Sequence, residues 1–234
     1  MGEVRVEMVA VPEPARGPMT RQQLRREVEE SLPRFQEAVD LVTTHVRYLL
    51  RQRGLMHPDE VNHRVIGRVK SVKSCLAKVS GVEKKIMRRL RSMKDLERHI
   101  DDIAGVRIVV PYLNEVPLVY AFIKRHSAFR EMGGKFEDHI AKPKWGYRSL
   151  HTVVRISTTS GLAKCEIQMR TGLQDAWAVK SHALVYKLKK KDLERLPREL
   201  RDLLVGQSDA LYTIDKDALN ISRLVRKLLG DETR

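Results

Sequence analysis

The feature that most constrains the fold is a change of hydrophobic period partway along the chain. Residues 162–169, LAKCEIQM, alternate without a break: Ala163, Cys165, Ile167 and Met169 fall on one side, Leu162, Lys164, Glu166 and Gln168 on the other. That pattern predicts a strand with one face for a core and one for polar work. AGVRIVV (104–110) and TVVRIS (152–157) are β-branched runs of strand length, and HRVIGRVKS (63–71) is a shorter one ending in cations. On either side the apolar spacing returns to three and four. Leu24, Val28, Leu32, Phe35, Val39, Val42, Val46 and Leu49 form one stripe; Leu200, Leu203, Leu211, Ile214, Ala218, Ile221, Leu224 and Leu228 form another. Pro33 just after Ser31 predicts the start of a second helix capped by Ser31. Val72, Cys75, Leu76, Val79, Val82, Ile86 and Leu90 mark a further helix face, and residues 114–127 another helix. Residues 128–138 read as an additional strand around Gly133 and Gly134, and Thr171 with Gln174 as the capping box of a helix reaching about Lys190. Helices, a mixed β-sheet, then helices make the class α+β. The expected divisions are a flexible arm at 1–20, a helical region at 21–62, a catalytic domain at 63–190 and a helical extension at 191–234.

Charge narrows the partners. The chain has 234 residues and a formal net charge of +15. From Arg64 to Arg98 twelve Lys and Arg stand against Glu83, Asp95 and Glu97, an excess of nine in a short window. Such a surplus favours phosphate-bearing partners: nucleotides, or RNA as a second class. Two cysteines without metal-ligand spacing fit a reducing compartment. No apolar run approaches the length of a membrane span and no signal peptide is recognisable, so a cytoplasmic protein without a membrane partner is expected.

Four segments carry candidate chemistry. In GRVKS (67–71), Arg68 and Lys70 leave a strand on the same side. A helix starting near Ser71 puts Ser74 and Lys78 four apart on one face, which suits a polyphosphate. In DDIAGVR (101–107) an aspartate sits at a strand mouth, either as an Mg²⁺ ligand or as a cap or turn residue. In KPKWGYRSLH (142–151), rings at Trp145 and Tyr147 stand among Lys142, Lys144, Arg148, Ser149 and His151. That mixture fits something flat with phosphates attached. In EIQMRT (166–171), Glu166 on a polar strand face is a candidate metal ligand or proton acceptor, or half of a surface ion pair.

Taken in order, GRVKS, DDIAGVRIV, KPKWGYRSLH, EIQMRT and WAVKSHALVYK resemble the RelA/SpoT-type alarmone synthetase domain over about residues 64–190. The resemblance implies a small synthetase with a nucleotidyltransferase-like mixed sheet. Its reaction would move the β,γ-pyrophosphate of ATP to the 3′-hydroxyl of GDP or GTP, giving (p)ppGpp and AMP. It assigns Arg68, Lys70, Ser74, Lys78 and Arg107 to ATP, and Asp102 to Mg²⁺. Tyr147 would stack on guanine, and Glu166 would be the catalytic glutamate, as base or second metal ligand. Gln168 and His182 would lie in the acceptor pocket, with Lys142, Lys144, Ser149 and His151 of KPKWGYRSLH on the same side. Two positions depart from the pattern: Trp145 where small synthetases commonly carry Asn, and Ser181 where many carry Glu. Both lie on the acceptor side, which leaves open a relative that pyrophosphorylates the tRNA 3′ end and, more remotely, a silent RNA-binding regulator. No His-Asp dipeptide occurs, so the hydrolase domain of long relatives is not expected. Flanking helices in the small subclass often build a tetramer, and a homo-oligomer is expected here.

Overall fold

The computed structural model describes residues 17–55, 63–81, 90–132, 135–184 and 197–230. A mixed six-stranded sheet forms the centre. Its strands are β1 (Arg64–Val69), β2 (Ala104–Val110), β3 (Arg130–Glu131), β4 (Glu137–Asp138), β5 (Leu150–Thr158) and β6 (Gly161–Thr171). Their order is β1-β2-β6-β5-β3, with β4 also on β5; β2 and β6 run parallel and the other pairs antiparallel. The helices are α1 (Arg21–Gln52), α2 (Val72–Gly81), α3 (Met93–His99), α4 (Glu115–Arg125), α5 (Gly172–Leu184) and α6 (Arg198–Leu228). The α+β class and the central strands follow the alternation in the sequence.

Helix α1 crosses one face of the sheet. Thr20 and Gln23 close a capping box at its start. Leu24, Val28, Phe35, Ala38, Val39, Val42, Val46 and Leu50 are buried along one stripe. They meet Ala163, Cys165, Ile167 and Met169 of β6 within a single core. Full burial of each large apolar side chain contributes about 1.5–3 kcal/mol, so this face dominates the stability. Strand β1 approaches α1 closely at Gly67, where a Cβ would sit 2.3 Å from Val39 Cγ1. Gly67 therefore fixes the spacing of the strand that carries Arg68.

Several local expectations change. Pro33 lies inside α1 and starts no second helix; Ser31 donates its hydroxyl to the Val28 carbonyl instead of capping. Packing of the continuous apolar stripe outweighs the one backbone donor that proline removes. The segment expected as one strand at 128–138 gives two short ones, β3 and β4, each paired with β5. Gly133 and Gly134 lie outside the described residues, as do 1–16 of the arm and Lys84, Lys85, Arg88 and Arg89 of the basic window. Helix α5 carries the expected capping box, with Thr171 N–H donating to Gln174 Oε1 and Gln174 N–H to Thr171 Oγ1. Its expected continuation from 185 to 190 is also outside the described residues.

Helix α6 behaves unlike α1. Leu204, Ser208 and Asp215 are its buried residues, while Leu203, Ile214, Ile221, Leu224 and Leu228 are exposed. Leu204 joins Trp177 and Ala178 of α5 in a second, small apolar cluster against which Tyr147 and Leu211 pack. No described helix is long and apolar enough to cross a membrane.

Candidate active site

Strand register builds the site on the sheet face opposite α1. Because alternate residues share a face, Arg68 on β1, Gly105 on β2 and Glu166 on β6 fall in one row. The next row holds Arg107, Gln168, His151 and Glu137 across β2, β6, β5 and β4. Gly105 contributes no side chain between Arg68 and Glu166, and the Arg68 side chain lies across it, its Cγ and Nε 3.9 Å from where a Cβ would stand.

The cationic end lies around Asp102. Lys70 Nζ is 2.9 Å from Asp102 Oδ2 and Lys78 Nζ 2.7 Å from Oδ1. Burial opposes the charge on Asp102, but the hydrogen bonds from Lys78 and Lys70 outweigh it and hold the carboxyl below its usual range. Lys70 is fixed from its backbone too, where its N–H donates to the Ile103 carbonyl at 2.7 Å. Ser71 opens α2, its carbonyl receiving the Cys75 N–H and its hydroxyl the Ser74 N–H. From that start Lys78 reaches Asp102 at the strand mouth, while the Ser74 hydroxyl pairs with that of Ser71. Neighbouring Asp101 takes Lys135 at 2.7 Å and Lys164 at 2.6 Å, tying the loop before β2 to β6. Arg68 has no ion-pair partner among the described residues, and the buried Nε of Arg107 has no hydrogen-bond partner.

Glu166 stands between the two ends. Gln168 Nε2 donates to Glu166 Oε2 at 2.7 Å, and His151 Nδ1 is 3.6 Å from Oε1. Burial raises its pKa; His151 and Gln168 lower it by more, so Glu166 is anionic at neutral pH. Asp102 acts on it in the opposite sense, raising it as a neighbouring negative charge. Two ionised carboxylates near one another supply hard oxygen donors of the kind Mg²⁺ prefers.

Tyr147 anchors the other end. Its hydroxyl lies 2.8 Å from His151 Nε2 and 3.5 Å from Arg170 Nη1, and burial pushes its pKa up. The His139 and His151 rings meet Tyr147 edge-on. The preceding residues Lys144–Tyr147 form a tight turn closed by Tyr147 N–H to the Lys144 carbonyl at 3.0 Å. Both central residues have positive φ, Trp145 at 56° and Gly146 at 83°. Such a turn favours Asn-Gly, a conformational reason for the Asn that the resemblance implies at position 145. Trp145 occupies a region costing a non-glycine residue about 1–2 kcal/mol. Its ring lies under the Arg201 guanidinium at 4.9 Å, a partial offset.

Helix α6 holds this turn. Ser208 donates to the Gly146 carbonyl, and Trp177 Nε1 to the Leu204 carbonyl at 3.2 Å. A Cβ on Gly146 would lie 2.9 Å from Trp177 and 3.0 Å from Ser208. Gly146 thus permits close approach to α5 and α6. Arg148, expected to be available to phosphates, is buried: it pairs with Asp209 at 2.7 Å, donates to the Ile140 carbonyl and lies over Tyr212. Ser149, expected in the acceptor pocket, is fully buried and donates to the Met169 carbonyl, bracing β5 against β6. Lys142 and Lys144 are exposed beside the turn. His182 is exposed two turns along α5 from Asp175.

Asp175 is the residue the sequence motifs left without a role. It is buried, and its carboxylate receives Arg170 at 2.7 Å, Arg107 at 3.2 Å and Arg64 at 3.2 Å. Arg170 is almost fully buried beside Tyr147. The parity of β6 puts Arg170 on the polar face with Gln168, a signal present in the sequence; the docking of α5 above it is tertiary and left no such signal.

Known proteins resemble this chain over most of its length. Residues 67–191, more than half of the chain, match the family described as the region found in RelA / SpoT proteins. The GTP pyrophosphokinase YwaC of Bacillus subtilis is 30% identical over 198 residues, 82% of this chain and 88% of that relative. YjbM, a second GTP pyrophosphokinase of that organism, is 31% identical over 162 residues, 67% of this chain and 70% of its own. Small alarmone synthetase 1 from Bacillus subtilis superposes with a TM-score of 0.68 at 28% identity, covering 85% of this chain and 97% of that one. The structure of that enzyme bound to its product pppGpp gives 0.67 at 27% identity, covering 86% and 99%. With matches of this extent, and with a site assembled by the same sheet that carries the motifs, the chain belongs to the RelA/SpoT family, in the company of its small alarmone synthetases.

Proposed function

We propose that the protein is a GTP/GDP 3′-diphosphotransferase that makes (p)ppGpp from ATP and a guanine nucleotide. The observation that carries this reading is the position of Glu166 between a cation-rich end at Asp102, Lys70 and Lys78 and an aromatic end at Tyr147 and His151. Names and titles of the relatives support it: GTP pyrophosphokinases, and synthetase structures bound to pppGpp and to AMPCPP.

In this reading ATP phosphates lie against Arg68, Lys70, Ser74, Lys78 and Arg107. Lys70 and Lys78 then exchange Asp102 for phosphate oxygens, and the Asp102 carboxylate so freed would be one of the groups that hold Mg²⁺. Guanine stacks on Tyr147, worth about 1–3 kcal/mol. Gln168, His151 and His182 line the acceptor side, and Lys142 and Lys144 meet its 5′-phosphates. Asp102 and Glu166 fit Mg²⁺ by donor type, and the ion when bound would neutralise phosphate charge. Glu166, held anionic, accepts the proton of the 3′-hydroxyl. The new bond joins O3′ to the β-phosphorus; the bond from that phosphorus to the α–β bridging oxygen breaks, and AMP leaves with the electron pair. His151 and Gln168 keep Glu166 oriented at the cost of some basicity, consistent with a carboxylate that serves the metal as well as the proton.

The exposed apolar residues of α6 support self-association, since an apolar stripe of this length is unusual on a monomer. Light scattering at micromolar concentration is expected to give a homo-oligomer; a monomer would remove that part of the proposal.

Incubation with γ-labelled ATP, Mg²⁺ and GDP, GTP or bulk tRNA tests the reaction. Label is expected in guanosine tetra- or pentaphosphate. Label in tRNA instead would shift the acceptor to RNA, and no transfer to any of the three would sink the enzyme reading.

A further inference from the structure

One carboxylate serves both ends of the site. Asp175 Oδ1 is 3.2 Å from Arg107 Nη1 and 2.7 Å from Arg170 Nη2, while Oδ2 receives Arg64 at 3.2 Å. Arg107 is on β2, in the strand assigned to ATP; Arg170 is on β6 and reaches the Tyr147 hydroxyl at 3.5 Å. Three guanidiniums around one carboxylate leave the cluster under-neutralised. Burial first, and after it the nearness of Arg170, holds the Arg107 pKa below its ordinary value. The buried Nε atoms of Arg107 and Arg170 both lack hydrogen-bond partners. An anion that drew Arg107 toward itself would relieve the repulsion and leave Oδ1 wholly to Arg170.

We infer that Asp175 is a positioning residue that couples the two nucleotide sites: occupancy of the ATP side by an anion releases the shared oxygen to Arg170, which then holds the Tyr147 ring more firmly for the acceptor. Asp175 touches neither nucleotide. The inference rests on the assignment of Arg107 to ATP and Tyr147 to the acceptor. Linkage makes the effect reciprocal, so the acceptor tightens ATP binding by the same factor.

Calorimetric titration of the full-length protein measures this directly. A non-hydrolysable ATP analogue with Mg²⁺ is titrated with and without saturating GDP, and GDP with and without the analogue. Each ligand is expected to tighten the other by about 5–20-fold in the unaltered protein, within the usual span of coupling between sites. Asp175→Asn should bring that factor to near one, while the affinity for either ligand alone changes several-fold less than the coupling lost. A role in stability alone would lower the melting temperature and leave the factor intact, which would overturn the inference. So would an unaltered protein without coupling. Should Asp175→Asn fail to fold, Arg170→Lys keeps a charge on Asp175 but cannot also reach Tyr147; it should abolish coupling with ATP-analogue affinity preserved, and retained coupling there overturns the inference as well. Tyr147→Ala separates the two levels. If it leaves GDP affinity unchanged, the acceptor assignment falls and the coupling with it. If it weakens GDP while Asp175→Asn keeps full coupling, only the role of Asp175 falls.

Discussion

The two ends of the site are held in place by different means. At the end proposed for ATP the candidate side chains hold one another: Asp102 spans Lys70 and Lys78, and Asp101 spans Lys135 and Lys164. Most of these groups sit on or beside strands whose other face is sealed by α1. At the end proposed for the acceptor the turn bearing Tyr147 is gripped from outside, by Ser208 and Asp209 of a helix more than fifty residues further along the chain. The first end is fixed by sheet register and the second by docking. Changes at the ATP end should therefore act through charge and metal, and changes at the acceptor end through order of the turn.

Glu166→Gln, at the junction, should remove the distinction by stopping both partners from reacting. Loss of a general base alone costs about 10²–10⁴ in rate, and loss of a metal contact adds to that. Nucleotide binding and the far-ultraviolet circular dichroism spectrum should persist. Turnover within a few-fold of normal would strip Glu166 of its assigned role. The acid side of the pH profile follows from the same residues. The folded pKa values of Glu166 and Asp102 are both depressed. Their contribution to stability is thus complete above their unfolded pKa values, about 4, and is lost as pH falls through the folded ones. Activity should accordingly survive mild acid as far as these two groups are concerned.

Asp102→Asn confines the damage to the ATP end. It removes one charge proposed to bind the metal and also frees Lys70 and Lys78. Turnover should drop by about 10–100-fold with a raised Mg²⁺ requirement, as expected for losing one of few carboxylate ligands. ATP binding without Mg²⁺ should hold or improve. GDP affinity should not move. A normal Mg²⁺ titration curve at full activity would exclude Asp102 as a ligand.

Tyr147→Ala is the counterpart at the acceptor end, with a loss of about 1–3 kcal/mol in acceptor binding from the missing stack and ATP affinity little altered. Tyr147→Phe keeps the ring and gives up the contact with His151 at 2.8 Å. It should cost less than the alanine change. Phe as damaging as Ala would make the hydroxyl, and through it His151, the working group.

The same contrast explains what could be read from the sequence. Alternation in 162–169 placed Glu166 and Gln168 on the polar face and Cys165 and Ile167 in the core, because strand parity is local. Arg68 and Lys70 followed by the same rule. Arg148 and Ser149 were misjudged because a cation and a hydroxyl beside an aromatic turn look the same in sequence whether they meet a ligand or another helix. Only the fold brings Asp209 to Arg148 and the Met169 carbonyl to Ser149. The stripe of α6 was visible, but its spacing does not say which residues face the domain: Ser208 against the turn and Asp215 against Thr171, both polar, are buried, while Ile221 and Leu224 are exposed. Asp175 lies at the end of the same scale, a single acidic residue whose three partners come from three strands.

Trp145→Asn offers the smallest and most selective change at the acceptor end. Positive φ at residue 145 costs tryptophan about 1–2 kcal/mol, a penalty that asparagine largely avoids. Against that gain stands the loss of the Arg201 contact, worth about 0.5–1 kcal/mol at an exposed site, and of the apolar area the ring covers. The two sides nearly cancel, so the thermal midpoint should move by no more than a few degrees. The turn itself is kept by Gly146, Ser208 and the Lys144–Tyr147 hydrogen bond, none of which the substitution touches. Acceptor affinity should change by less than about threefold, a difference below 1 kcal/mol, and ATP affinity not at all. Combining the change with Arg201→Ala should show whether the pair acts together: once residue 145 is Asn, removing Arg201 should have little further effect on stability. A tenfold or greater loss of acceptor binding in Trp145→Asn would mean that the indole meets the nucleotide itself, and the acceptor end would then depend on a second ring beside Tyr147.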